Sequence, residues 1–133
     1  MNSGDAALEL PGHSFRRQFE FAEVLLVIIE SVRIAVMPAK CEQLLRALRA
    51  WAGPTAVEPG CLSCRILQEA SAPQAVCYQA HWKGQDDLSR HLRTEHYKKL
   101  LGLIELGISS PLVEFHTVME TRGMDLIEQT RKL

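Results

Sequence analysis

Several things this chain lacks narrow what it can be. No apolar run approaches the roughly 20 residues that a membrane-spanning helix needs, so no membrane partner is expected. No stripe of Lys and Arg stands out, and 15 basic residues against 16 acidic ones leave a formal net charge of −1. Phosphate binding requires concentrated positive charge, which excludes nucleic acid as the main partner. An export leader is not expected either. The apolar run Val24–Ile29 follows Arg16 and Arg17, but Glu20 and Glu23 intervene and Glu30 closes it. That run reads as a strand of a cytoplasmic protein, whose four cysteines are then expected to be thiols. Neither a second C-x-x-C nor an H-x-x-x-H accompanies Cys61 and Cys64, so no zinc set can be assembled and no metal is expected. Internal repeats and low-complexity blocks are missing too.

What is present suits one packed domain. The 133 residues are 47% hydrophobic and 23% charged, enough for a single core. Residues 1–20 carry Gly, Ser, Asp and Pro with little periodicity and read as a flexible N-terminal arm, its aromatics Phe15, Phe19 and Phe21 near the end. Residues 21–121 form the domain, and 122–133 a tail or short helix.

Val24–Met37 reads as a long first strand whose second half sets Val32, Ile34 and Val36 against Arg33, Ala35 and Met37. Pro38 ends it and begins a helix. Along Ala39–Ala56, the residues Cys41, Leu44, Leu45, Leu48, Trp51 and Ala52 fall on one helical face, and Gly53–Pro54 should kink or weaken the last turn. Pro59–Gly60 turns the chain into strand two, Cys61–Ala70, and Ser71–Gln74 turns it into strand three, Ala75–Lys83. Asp86 and Asp87 suit a helix start. That helix is expected to break near Thr94–Glu95 and resume to about Gly107. Pro111–Thr121 gives strand four. The order βαββαβ is the ferredoxin-like arrangement, an α+β fold with an antiparallel sheet and helices on one face. The other face needs cover, and a second copy of the chain supplies it most simply, predicting a homodimer.

Strand parity bears on the candidate site. Val76, Tyr78, Ala80 and Trp82 share one face of strand three, with Cys77, Gln79 and His81 on the other. The same rule places Cys61 and Cys64, three apart in a strand, on opposite faces and argues against a redox pair. Cys41 and Cys77 are expected to fill core space. The block from Glu58 to Tyr97 is the most informative: EPGC, two strands ending at Trp82, then HLRTEHY with His91 and His96.

Taken together, EPGC after a helix, the strand pair, Trp82 and L-x-x-H-L-x-x-x-H-Y resemble the antibiotic-biosynthesis monooxygenase-like domains. The likeness runs from about Glu30 to Met119 and includes the Pro38–Ala39–Lys40 entry to the first helix. It implies a dimeric α/β barrel made by two ferredoxin-like sheets, with a pocket between each sheet and its own helices. It also implies oxidation of phenols or quinols by molecular oxygen without metal, flavin or haem, so no cofactor is expected. Some relatives degrade haem with an Asn on strand one. The only Asn here is Asn2, and Val32 or Ser31 stands near the expected position, so haem degradation is not expected.

A cofactor-free oxygenase must raise its substrate to an electron-rich anion, which takes a base, donors and a dry aromatic enclosure. His91 or His96 is the candidate base, because imidazole titrates near neutrality. Trp82 and Tyr78 are the candidate walls for a small aromatic or hydrophobic ligand, with Arg33 or Arg65 as candidate anion donors. Each has a plainer alternative. Trp82 and Tyr78 can be core residues, His91 can pair with Glu95 on the helix surface, and His96 can cap the break at Thr94. His81 and His116 read as interface residues. A non-catalytic dimeric module that binds a hydrophobic metabolite fits the same pattern.

Overall fold

Alternation along the first strand sets the layering. In the computed structural model, which describes residues 26–132, β1 (Ile28–Ala35) buries Ile28, Glu30, Val32 and Ile34 and turns Ile29, Ser31 and Arg33 the other way. The arm expected over 1–20 lies outside the described residues. β1 is flanked by β3 (Ala72–Trp82) and β4 (Leu112–Thr117), and β2 (Cys61–Glu69) completes the order β2-β3-β1-β4, every pair antiparallel. This is an open ferredoxin-like sheet in an α+β fold, with no closure into a barrel by the described residues of one chain.

A single 3-10 turn at Pro38–Lys40 leads into α1 (Cys41–Ala56). Leu44, Leu45, Leu48, Trp51 and Thr55 make its buried face, and the helix passes through Pro54 rather than stopping there. Proline removes only its own N–H, and so close to the C-terminus the remaining turn survives the loss. Two helices follow β3, α2 (Gln85–Leu92) and α3 (Glu95–Ile104). The break expected near Thr94 is there: the Thr94 side chain accepts a hydrogen bond from Tyr97 N at 3.0 Å and caps α3. His96 has no part in that cap.

All three helices lie over the face built by Val32, Ile34, Val76, Tyr78, Ala80 and Trp82. They leave β4 uncovered, and each of its six residues is exposed, including Leu112, Val113 and Phe115. α4 (Met124–Arg131) buries none of its residues, so the expected short terminal helix exists but is unpacked on this chain.

Two expectations about cysteine fail here. β2 carries a bulge between Cys61 and Ser63, so Cys61 pairs with Trp82 and Cys64 with Ala80. Trp82 and Ala80 both face the helices, and so do Cys61 and Cys64, which pack against the core. The extra residue, Leu62, cancels the alternation that would have separated them. Cys77 is the second case. It pairs with Arg33 and Leu67 on the helix-free face and does not fill the core.

Candidate functional site

The helix-covered face of the sheet contains a carboxylate where an aliphatic residue would be usual. Glu30 is completely buried. Its Oε1 accepts the Tyr78 hydroxyl at 2.9 Å and Trp82 Nε1 at 3.0 Å, and its Oε2 accepts the Tyr97 hydroxyl at 3.0 Å. β1 supplies the acceptor, β3 two donors and α3 the third. Such a charge is tolerated in a core only because it is surrounded by donors. Burial, and then the Glu30 charge, push the Tyr78 and Tyr97 hydroxyls well above the ordinary tyrosine range. Both therefore stay protonated and keep donating.

His91, from the last turn of α2, closes the cluster. It too is completely buried, with its ring stacked on Trp82 at 4.4 Å and the edge of Tyr97 at 5.0 Å. Nδ1 is 2.9 Å from Glu58 Oε1. Nε2 is 3.6 Å from Glu30 Oε1, beyond hydrogen-bond reach, and has no partner. A buried nitrogen with free hydrogen-bonding capacity is costly, and it marks the point in the cluster where a ligand atom would be welcome.

Of the residues singled out from sequence, the structure brings His91, Trp82 and Tyr78 together. His96 is not with them. Its ring lies flat on Trp51, 4.7 Å away and 5° from parallel, and its Nε2 lies 2.9 Å from the Thr55 hydroxyl. Arg33 and Arg65 face away from the helices. Arg33 pairs with Glu69, which holds that carboxyl below its usual range, and Arg65 sits opposite Gln79. His81 and His116 share that helix-free side.

Sequence reasoning missed three members. Glu30 had been read as the residue that ends an apolar run, although its i+2 and i+4 partners Val32 and Ile34 place it inward. It is Glu30, and not Ser31 or Val32, that meets Trp82 and His91 from strand one. Glu58 and Tyr97 had marked only the two ends of the informative block. Cys61 and Cys64 border the cluster, and Cys64 is pushed up to about 12 by burial, then by Cys61, Glu30 and Glu58, so it stays a thiol. Among the described residues no group of three or more His, Cys, Asp and Glu is arranged to hold a metal ion.

The cluster fills the space between sheet and helices with its own side chains. Grooves occur elsewhere. One of about 410 Å³ runs between α1 and α3 beside Trp51 and His96, and another of about 490 Å³ lies by Ile29, Leu62 and His81.

An open β2-β3-β1-β4 sheet under helices, with an acid–imidazole–aromatic cluster between the layers, defines a ferredoxin-like α+β protein with an interior polar site. The chain belongs to the antibiotic biosynthesis monooxygenase family, whose pattern matches residues 27–101. Solved structures with the same fold include a conserved protein from Methanosarcina mazei Go1, 21% identical, with a TM-score of 0.65 and 73% of this chain and 97% of that one covered. A candidate antibiotic biosynthesis monooxygenase from Caulobacter crescentus is 20% identical, with a TM-score of 0.65 and coverage of 77% and 99%. Another from Nitrosomonas europaea is 21% identical, with a TM-score of 0.64 and coverage of 73% and 94%. No curated protein sequence matches the chain.

Proposed function

We propose that this protein is a cofactor-independent monooxygenase that oxidises a small aromatic phenol or quinol with molecular oxygen. The observation behind this reading is the unpartnered Nε2 of His91, buried in an aromatic enclosure. A substrate hydroxyl brought within about 2.8 Å of Nε2 can donate its one proton to that lone pair. A substrate hydroxyl set there gives its proton to Nε2 and becomes a phenolate. The electron-rich ring passes an electron to O₂, the two radicals join at carbon, and the peroxide loses water to leave a quinone. One O₂ is consumed, one oxygen atom enters the product and the other leaves as water. The tyrosine hydroxyls and the indole N–H keep Glu30 fixed, while Trp82 excludes water from the ring.

Access would come from the β4 side. Phe115 and Val113 continue the helix-facing surface beside Glu30 and Val32, are about half exposed, and have no helix above them. A homodimer belongs to the same reading. Leu67, Leu112 and Cys77 lie on the uncovered sheet face, which a second copy would bury. Light scattering at micromolar concentration checks this, and a stable monomer removes it.

Aerobic and anaerobic incubation with a panel of hydroquinones and phenols tests the chemistry. Turnover that needs oxygen and is lost in His91→Ala is expected. Equal turnover without oxygen, or none with any substrate, overturns the proposal. One observation favours a second reading, a binding module without catalysis: Glu30, Tyr78, Trp82 and His91 leave no exposed surface in the cluster. Binding of a hydrophobic aromatic with no oxidation under any condition would establish that reading instead.

A further inference from the structure

His91 is confined on all sides, by Trp82 on one face, by the edge of Tyr97 and by Trp51 at 5.8 Å. A ring packed in this way cannot swing out to water, so each nitrogen acts only on what already faces it. Nδ1 faces Glu58 Oε1 within hydrogen-bond distance, whereas Nε2 has no hydrogen-bond partner and lies 3.6 Å from Glu30 Oε1. An ionised carboxylate can only accept, so in the neutral ring the proton that this contact requires is on Nδ1, leaving the Nε2 lone pair free.

Glu58 is itself held in place. It begins the turn into β2, where Cys61 N donates to Glu58 O at 3.1 Å and Lys83 N donates to Gly60 O at 2.8 Å. Arg90, from the same helix as His91, reaches Pro59 O at 3.4 Å. The Glu58 side chain keeps some contact with solvent, at 19% exposure, while His91 has none. The titratable groups around the ring are Glu30 from β1, Cys61 and Cys64 from β2, Tyr78 from β3, Tyr97 from α3 and Glu58 from the turn.

We propose that Glu58 is the positioning residue of the site: it fixes the Nδ1–H tautomer of His91, aims Nε2 at the reacting hydroxyl and offsets the charge of the imidazolium that forms. The catalytic half of this inference rests on the oxygenase reading above, and the tautomer half does not. The proton balance closes. Nε2 takes one proton from the substrate hydroxyl and returns it to the departing peroxide oxygen as water forms, while Glu58 keeps its Nδ1–H partner throughout.

The test is long-range proton–nitrogen NMR on the full chain with labelled imidazoles, for the wild type, Glu58→Gln and Glu58→Ala, beside steady-state kinetics. Expected are an Nδ1–H tautomer in the wild type and a mixture in Glu58→Ala. Glu58→Gln, nearly isosteric, keeps the hydrogen bond without the charge and should lower kcat on the order of 10²-fold with KM little changed. A wild-type proton on Nε2, or an unaltered tautomer in Glu58→Ala, overturns the proposal. If Glu58→Ala fails to fold, wild-type kcat in Glu58→Gln overturns it. A wild-type Nδ1–H tautomer with no oxidation of any substrate would remove the oxygenase reading and leave the Glu58–His91 pairing standing.

Discussion

Trp51 and His96 stack ring on ring, 4.7 Å apart and 5° from parallel, and join α1 to α3. Trp51 Nε1 also donates to His96 O at 2.8 Å, so both the backbone and the side chain of one residue grip the same indole. This is a packing joint outside the Glu30 hydrogen bonds, although its Trp51 also borders Tyr78 at 4.9 Å and His91 at 5.8 Å. His96→Ala should cost about 1–2 kcal/mol through lost stacking and the lost Thr55 contact. Urea denaturation measures the loss, and oxidation rates should change little.

Glu30 should be far more sensitive. Glu30→Ala leaves the Tyr78 and Tyr97 hydroxyls and the Trp82 N–H buried without an acceptor. A loss of about 3–5 kcal/mol is expected. Glu30→Gln retains one acceptor oxygen and should lose roughly half as much. Equal stability of the wild type and Glu30→Ala in chemical denaturation would show that the cluster is not a structural centre.

Gly60 has φ +81°, and a Cβ there would stand 2.1 Å from Asp87 Cγ. Gly60→Ala therefore meets a left-handed backbone and a clash together, and should destabilise the fold by about 2–4 kcal/mol. Because the turn also carries Glu58, the variant should disturb the His91 imidazole signals even where the fold survives.

Alkali should unfold the protein early. The Cys64 thiol and the Tyr78 and Tyr97 hydroxyls sit above their ordinary values of 9.0 and 10.0, chiefly through burial. The folded chain holds these protons more tightly than the unfolded one. Their contribution to stability is thus complete below about pH 9 and is lost as pH rises toward and beyond 12. Thermal melts from pH 7 to 11 should show Tm level and then falling, with a shallower fall in Tyr97→Phe.

The half-buried Cys64 should also resist alkylation. At pH 8 its thiolate fraction is very small, so iodoacetamide should label it slowly in the native chain and readily in urea, as mass spectrometry would show.

Much of this was legible in the residues. The two-residue rhythm of β3 placed Tyr78 and Trp82 on the inner face, and the heptad-like spacing of α1 placed Leu44, Leu48 and Trp51. His91 stood out through its L-x-x-H-L setting and because imidazole suits a base near neutral pH. Glu30 was readable by the same rhythm in β1, but its charge made it look like the end of a strand. Glu58 was noticed only as the start of the EPGC turn; its pairing was hidden, because its partner lies 33 residues away across a turn whose shape depends on Gly60. The separation of His96 from His91 was equally hidden, since the Thr94 cap redirects the chain between them.

The bulge at Leu62 acts as a reading-frame shift in β2. Downstream of it Cys64 and Ile66 keep the inward phase, and upstream of it Cys61 is brought into that phase as well, along with the turn anchored to it. Deleting Leu62 would leave Cys61 and Cys64 two apart, so plain alternation would keep both facing inward and the EPG turn in step with α2. The reach of Glu58 to His91 thus depends on the inward phase of Cys61, which a regular strand one residue shorter would preserve.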